Sequence, residues 1–152
     1  MQVVNFVPFG VALIFFAVGL HRGLAGDSKV GPALLAVAGV AMVLAGFKTD
    51  PDISAGPQSW HGMIHGFAYL LFVFSLLPAF FFLWWRMRRD PQWLGHGVYT
   101  VVTGIYMVIL FLTPWPSSFY FFLALMVAWV EVLALRLRSK AGGATVGRAT
   151  PA

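Results

Sequence analysis

Two histidines, His61 and His65, stand four residues apart in WHGMIH, and two aspartates, Asp50 and Asp52, precede them in GFKTDPDISAGPQS. On a helix this spacing puts both imidazoles on one face, about 6 Å apart along the axis. A helix can offer two nitrogen ligands to one metal ion in this way. Asp50 and Asp52 would supply oxygen ligands or orient the rings from behind. His61, His65 and Asp50 are therefore the candidate ligands of a divalent ion such as zinc, and Asp52 the candidate base beside it. No glutamate flanks either histidine, so the zinc-protease pattern is absent. The same four residues fit two other readings. One is a hydrogen-bonded Asp–His cluster that locks a loop. The other is a titrating pair that senses external pH, since imidazole changes charge near neutrality.

A plain turn between two helices also accounts for the stretch. Gly46 is a natural helix stop and Pro51 forbids continuation. TDPD is turn chemistry, and Ser59 is a candidate N-cap for the helix that follows.

A second polar group lies inside apolar sequence. Glu131 falls about two-thirds of the way through the last apolar run, counted at roughly 1.5 Å per residue. Ala124 and Ala128 share its stripe, which should turn the carboxyl toward the other helices. His96, Tyr99 and Thr103 share one side of the preceding run, and His96 or Tyr99 should reach the depth of Glu131. An intramembrane carboxyl is a functional candidate by default. A structural hydrogen bond, or a pairing of Glu131 with Arg136 or Arg138 near the boundary, competes with a proton-relay role.

The elements that carry these residues follow from composition. The chain has 152 residues, of which 60% are hydrophobic and 10% charged. A soluble domain is charged at about a quarter of its positions, and so small a globule cannot hide this much apolar surface from water. Runs of roughly 17–25 apolar residues read as membrane-spanning helices, since hydrocarbon offers backbone groups no partner. The expected fold is all-α, an integral membrane bundle of five transmembrane helices at about 3–20, 32–47, 62–85, 94–112 and 118–135. Residues 1–138 make one transmembrane domain, and 139–152 a disordered cytoplasmic tail. Ala38, Ala41 and Ala45 line one face of the second span and invite close helix contact. Pro78 should kink the third span, with Ser75 helping to satisfy the local backbone. No cysteine is present, hence no disulfide and no thiol chemistry.

The net charge of +5 sorts by loop. Arg22 and Lys29, then Arg86, Arg88 and Arg89, then Arg136, Arg138, Lys140 and Arg148 fall on one side of a five-span bundle. The positive-inside rule makes that side cytoplasmic and puts the N-terminus outside. Trp60 and Trp115 mark the outer boundary, and Trp84, Trp85 and Trp93 the inner one. The first run has no basic leader and no evident cleavage site, so no signal peptide is read.

NFVPFGVALIFFAVGL, an Ala/Gly-rich span, GFKTDP, and then WHGMIH opening a long apolar helix together resemble the bacterial multi-pass membrane family known as domain of unknown function 998. The family's phenylalanine, Thr-Asp-Pro turn, glycine and histidine correspond here to Phe47, Thr49, Asp50, Pro51, Gly62 and His65. His61 falls where many members also carry histidine. The resemblance covers about the first two-thirds of the chain by motif and the rest by hydropathy. Members usually have six spans, so the resemblance implies a chain lacking the family's first span, through a late-assigned start or a true truncation. It implies no established reaction.

Three functions fit. The first is a non-catalytic structural, lipid-contact or partner-binding membrane protein. The second is a metal-dependent hydrolase at the outer surface. The third is a small proton-coupled carrier using Glu131 and the outer His–Asp group, although no internal repeat or paired broken span supports it. The expected partners are the lipid bilayer and, where oligomerisation supplies bulk, further copies of the chain. No phosphate-binding glycine loop is present, so no nucleotide is expected, and the basic residues read as cytoplasmic loop charge, so no nucleic acid is expected. No cofactor is expected beyond the candidate divalent metal. The expected location is the cell membrane, the inner membrane of a bacterium.

Overall fold

A computed structural model of the chain describes residues 2–48, 59–115 and 117–146. Among them are five helices and no strand: α1 Gln2–Gly23, α2 Val30–Leu44, α3 Trp60–Met87, α4 Leu94–Leu112 and α5 Ser118–Val146. The all-α expectation holds. Four of the five, over Asn5–Gly23, Trp60–Met87, Leu94–Leu112 and Ser118–Ala141, are long and apolar enough to cross a membrane. The fifth, α2, has 15 residues, so it rises about 22 Å against a hydrocarbon core of about 30 Å.

Helix ends follow local chemistry. Ser59 caps α3 as its sequence suggests, its hydroxyl accepting the Gly62 N–H at 3.2 Å. Pro32 sits in the first turn of α2, where its missing N–H costs no helical bond. At the other end of α2, Gly46 N–H donates to Val43 O at 3.0 Å and Phe47 N–H to Leu44 O at 3.1 Å. The helix thus closes by tightening its last turn. The left-handed glycine is elsewhere: Gly26, with φ 84°, turns the loop between α1 and α2. Within α3, Ser75 donates back to Leu71 O at 2.6 Å, one turn before the carbonyl that Pro78 leaves without a donor. α5 continues well past Leu135, so residues from Ser139, expected as a tail, are helical as far as Val146. Leu, Arg, Lys and Ala dominate its extension as far as Ala141, and all are good helix formers.

The chain divides into two compact units, Met1–Val18 with Lys29–Ala79, and Gly19–Ser28 with Phe80–Ala152. In the first, α1 and α2 meet on glycine. A Cβ on Gly10 would lie 2.5 Å from Gly39 O, and one on Gly39 would lie 2.8 Å from Gly10 O. Only hydrogen fits at that crossing. Ala38, Ala41 and Ala45 are buried around it, as their shared stripe suggests. In the second unit, α4 and α5 pack together. α5 buries Phe122, Met126, Trp129 and Leu133, a stripe at helical spacing. α4 buries Gly97, Thr100, Thr103, Gly104 and Met107. Two polar side chains of this core pair with each other: Trp129 Nε1–H donates to Thr100 Oγ1 at 3.0 Å, and that hydroxyl donates to Met87 Sδ at 3.6 Å. The Phe80 ring lies 4.4 Å from that of Trp129.

Candidate functional site

The first turns of α3 carry both candidate histidines in the first unit. The last turn of α2 ends in carbonyls that have no helical donor. His65 reaches back to them, its Nδ1 lying 2.8 Å from Ala45 O and 3.1 Å from Phe47 O. A carbonyl only accepts, so Nδ1 must carry the proton, and in neutral His65 the lone pair lies on Nε2. Phe6 of α1 stands edge-on to the His65 ring at 6.4 Å. His65 therefore ties α3 to the end of α2 and is half-buried there.

His61 turns to a different partner. Its Nδ1 lies 2.6 Å from Ser59 Oγ, the same hydroxyl that caps α3. Trp60 lies edge-on to His61 at 5.3 Å and to Phe47 at 6.0 Å. Both histidines thus have their Nδ1 atoms committed to structure. That is the arrangement in which a metal-binding imidazole is steered by its distal nitrogen. Asp50 and Asp52 lie outside the described residues. Among the described residues, no three His, Cys, Asp or Glu side chains gather as a metal site.

The second candidate group lies on α4 and α5 of the second unit. Glu131 is exposed, as are Ala124 and Ala128 on the same stripe, while α5 turns Trp129 and Leu133 inward. The expectation that the small face would carry Glu131 toward the other helices is therefore corrected. The large side chains fill the core, and the alanines face out. His96 and Tyr99 are half-buried on α4. His96 packs edge-on to Trp93 at 5.5 Å. No hydrogen bond or ion pair joins Glu131 to either among the described residues.

Sequence reasoning missed the most heavily bonded side chain of the second unit. Arg86 is 5% exposed and spends its guanidinium on backbone carbonyls of 21–28. Nε donates to Ala25 O at 2.9 Å and Nη1 to Ser28 O at 2.9 Å. Nη2 donates to Leu24 O and Gly26 O, both at 2.6 Å, and to His21 O at 3.1 Å. The cation sits against the C-terminal carbonyls of α1, where the helix dipole favours it. Read as one of three loop arginines, it looks interchangeable with Arg88 and Arg89. Its register was the available signal, because Ala79, Leu83 and Arg86 recur on the buried face of α3. Arg88 instead lies over the Trp85 ring at 3.8 Å.

Other basic side chains converge in this unit. Arg136 Nη2 donates to Gln92 O at 3.0 Å. Lys140 Nζ donates to Gly23 O at 3.3 Å and stands 3.9 Å from the Asp90 carboxylate. The loop after α1, the turn after α3 and the end of α5 therefore meet.

Neither a curated protein nor a solved structure matches the chain. Residues 1–138 match a family described as protein of unknown function, DUF998. With the match spanning nearly the whole chain, including the Phe47 and His65 motif positions, this protein belongs to the DUF998 family.

Proposed function

We propose that the chain is a multi-pass integral membrane protein whose five helices all cross, with the N-terminus outside and the basic end in the cytoplasm of a bacterial cell. Its role is non-catalytic: structural, lipid-contacting or partner-binding. One observation carries the topology. Arg86 binds the carbonyls of 21–28, and Lys140 binds Gly23 O, so three basic segments share one end of the second unit. α3 has 28 residues, a rise of about 42 Å. In this reading α2 crosses as well, despite its 15 residues. Lys29 and Lys48 bracket that short helix and can extend their ammonium groups to the interfaces. Large apolar side chains face outward, among them Phe15, Phe74, Leu112 and Phe121. A water-soluble monomer rarely presents such a surface.

Alkaline carbonate extraction and reporter fusions test this reading. The chain should stay with the membrane, with fusions after Lys48 outside and fusions after Arg89 and Lys140 inside. Release by carbonate, or a cytoplasmic reporter after Lys48, would overturn it.

The outer His–Asp group supports a second reading, a divalent metal site formed by His61, His65 and Asp50, serving a hydrolase. What favours it is the protonation of His65 at Nδ1, which leaves Nε2 as the atom able to ligate. Metal analysis of the purified chain, with His61→Ala and His65→Ala as controls, decides it. Absence of stoichiometric metal ends that reading and leaves the first intact.

A further inference from the structure

We propose that a groove beside the end of α1 binds the headgroup of an anionic phospholipid, with its phosphate between Arg22 and Lys140. The proposal rests on the membrane reading above and names the lipid class that one site would take.

The groove has a volume of about 530 Å³ and belongs wholly to the second unit. That volume falls in the roughly 300–1,000 Å³ range of small-molecule sites. Gly19 and Gly23, one turn apart on α1, line the groove on the side where Leu137 packs against them. Leu137 of α5 walls it, and Arg22, Lys140 and Ala141 line it. Two cations over an apolar floor match a phosphate attached to a glycerol and the first methylenes of an acyl chain. Free phosphate would use the cations and leave the floor uncovered.

The two cations are prepared differently. Lys140 is placed: it donates to Gly23 O at 3.3 Å and lies 5.8 Å from the Trp93 ring centre. Asp90, at 3.9 Å, is beyond hydrogen-bond reach and has its Oδ1 on the Gln92 N–H at 2.9 Å. Lys140 therefore keeps donors for a second anion. Arg22 is exposed, and among the described residues it has no hydrogen bond or ion pair. Its planar fork suits phosphate oxygens in a bidentate contact. Arg22 and Lys140 are the charged side chains that line the groove, so its lining is cationic. A zwitterionic headgroup would bring its own ammonium into this field and be disfavoured. Basic pockets between helices at the cytoplasmic face take anionic headgroups for this reason.

Native mass spectrometry of the full chain in detergent, offered equal phosphatidylglycerol and phosphatidylcholine, tests the site. The chain should retain phosphatidylglycerol in preference. The double variant Arg22→Gln with Lys140→Gln should lose that preference by roughly 10- to 30-fold, as expected for two basic contacts. Ala141→Trp, at an exposed position, fills the groove with both cations kept and should lose it as well. Arg88→Gln with Arg89→Gln removes equal charge elsewhere and should keep it. Equal retention of both lipids overturns the proposal, as does an unaffected Arg22/Lys140 variant or an equal loss in the Arg88/Arg89 control. Displacement of the lipid by millimolar glycerol phosphate would reassign the site to a soluble phosphate and also overturns it. Carbonate extraction judges the membrane reading separately, so a chain that stays inserted yet shows no lipid preference counts against this site alone.

Discussion

His65 gives its Nδ1 proton to Ala45 O across 2.8 Å, joining the start of α3 to the final turn of α2. The bond satisfies carbonyls that the end of α2 leaves without a helical donor, and Phe47 O shares the same nitrogen at 3.1 Å. His65→Ala should lower stability by about 1–2 kcal/mol, the usual cost of stranding a partly buried acceptor. An apparent melting temperature in detergent, followed by tryptophan fluorescence, reads this as a drop of a few degrees. His65→Asn keeps a donor and should recover part of the loss. An unchanged melt for His65→Ala would remove the tie from the account.

Arg86 makes a sharper case, because its contacts depend on the guanidinium shape. Five carbonyls accept from three nitrogens set in one plane. A lysine ammonium is a single point with three donors. Arg86→Lys should therefore cost roughly 2–4 kcal/mol despite keeping the charge, since buried acceptors lose charge-assisted bonds. The same change at exposed Arg88 should be nearly silent. Limited proteolysis should show new cleavage near Gly26 in Arg86→Lys only. Equal behaviour of the two variants would mean that charge alone holds the loop.

Much of the fold was legible because it depends on composition and period. Unbroken apolar runs placed the helices, Ser59 marked the start of α3, and the alanine stripe found the buried face of α2. Contacts between elements distant in sequence were not legible. Nothing local distinguishes Gly10 and Gly39, the glycines of the α1–α2 crossing, from the other glycines. Nothing near Arg86 announces carbonyls some sixty positions earlier. Glu131 shows the opposite failure. Its small-residue stripe was read as an inward face, yet Trp129 and Leu133 claimed the core by size. The candidate histidines were found by spacing alone, and that spacing did not reveal that their Nδ1 atoms serve different partners.

The Trp129–Thr100 bond should be a stability determinant of the second unit. Trp129 is fully buried, so its indole N–H has no access to water. Thr100→Val keeps the shape and removes the acceptor, at an expected cost of about 1–3 kcal/mol. Thr100→Ser retains the hydroxyl and loses one methyl, so it should cost less than Thr100→Val. Melting temperatures of the two variants give the order. Should Thr100→Ser prove the more damaging, packing of the methyl group would outweigh the hydrogen bond.

Glu131 faces away from the packed side of α5, within the apolar segment Ser118–Ala141. Among the described residues no hydrogen bond or ion pair engages its carboxyl. Glu131→Leu should therefore leave the detergent melt within about 0.5 kcal/mol of the parent, as for an ordinary surface change. Insertion is a different matter. An acidic side chain near the middle of a spanning helix raises the insertion cost by up to about 3 kcal/mol, less toward the ends where it can reach water. The leucine variant should enter membranes during in vitro translation more completely than the parent, while Glu131→Gln should fall between them. A destabilised leucine variant would show that the carboxyl has a binding role within the fold. Unchanged insertion, with a smaller particle mass in detergent, would instead place the carboxyl at a contact between copies of the chain.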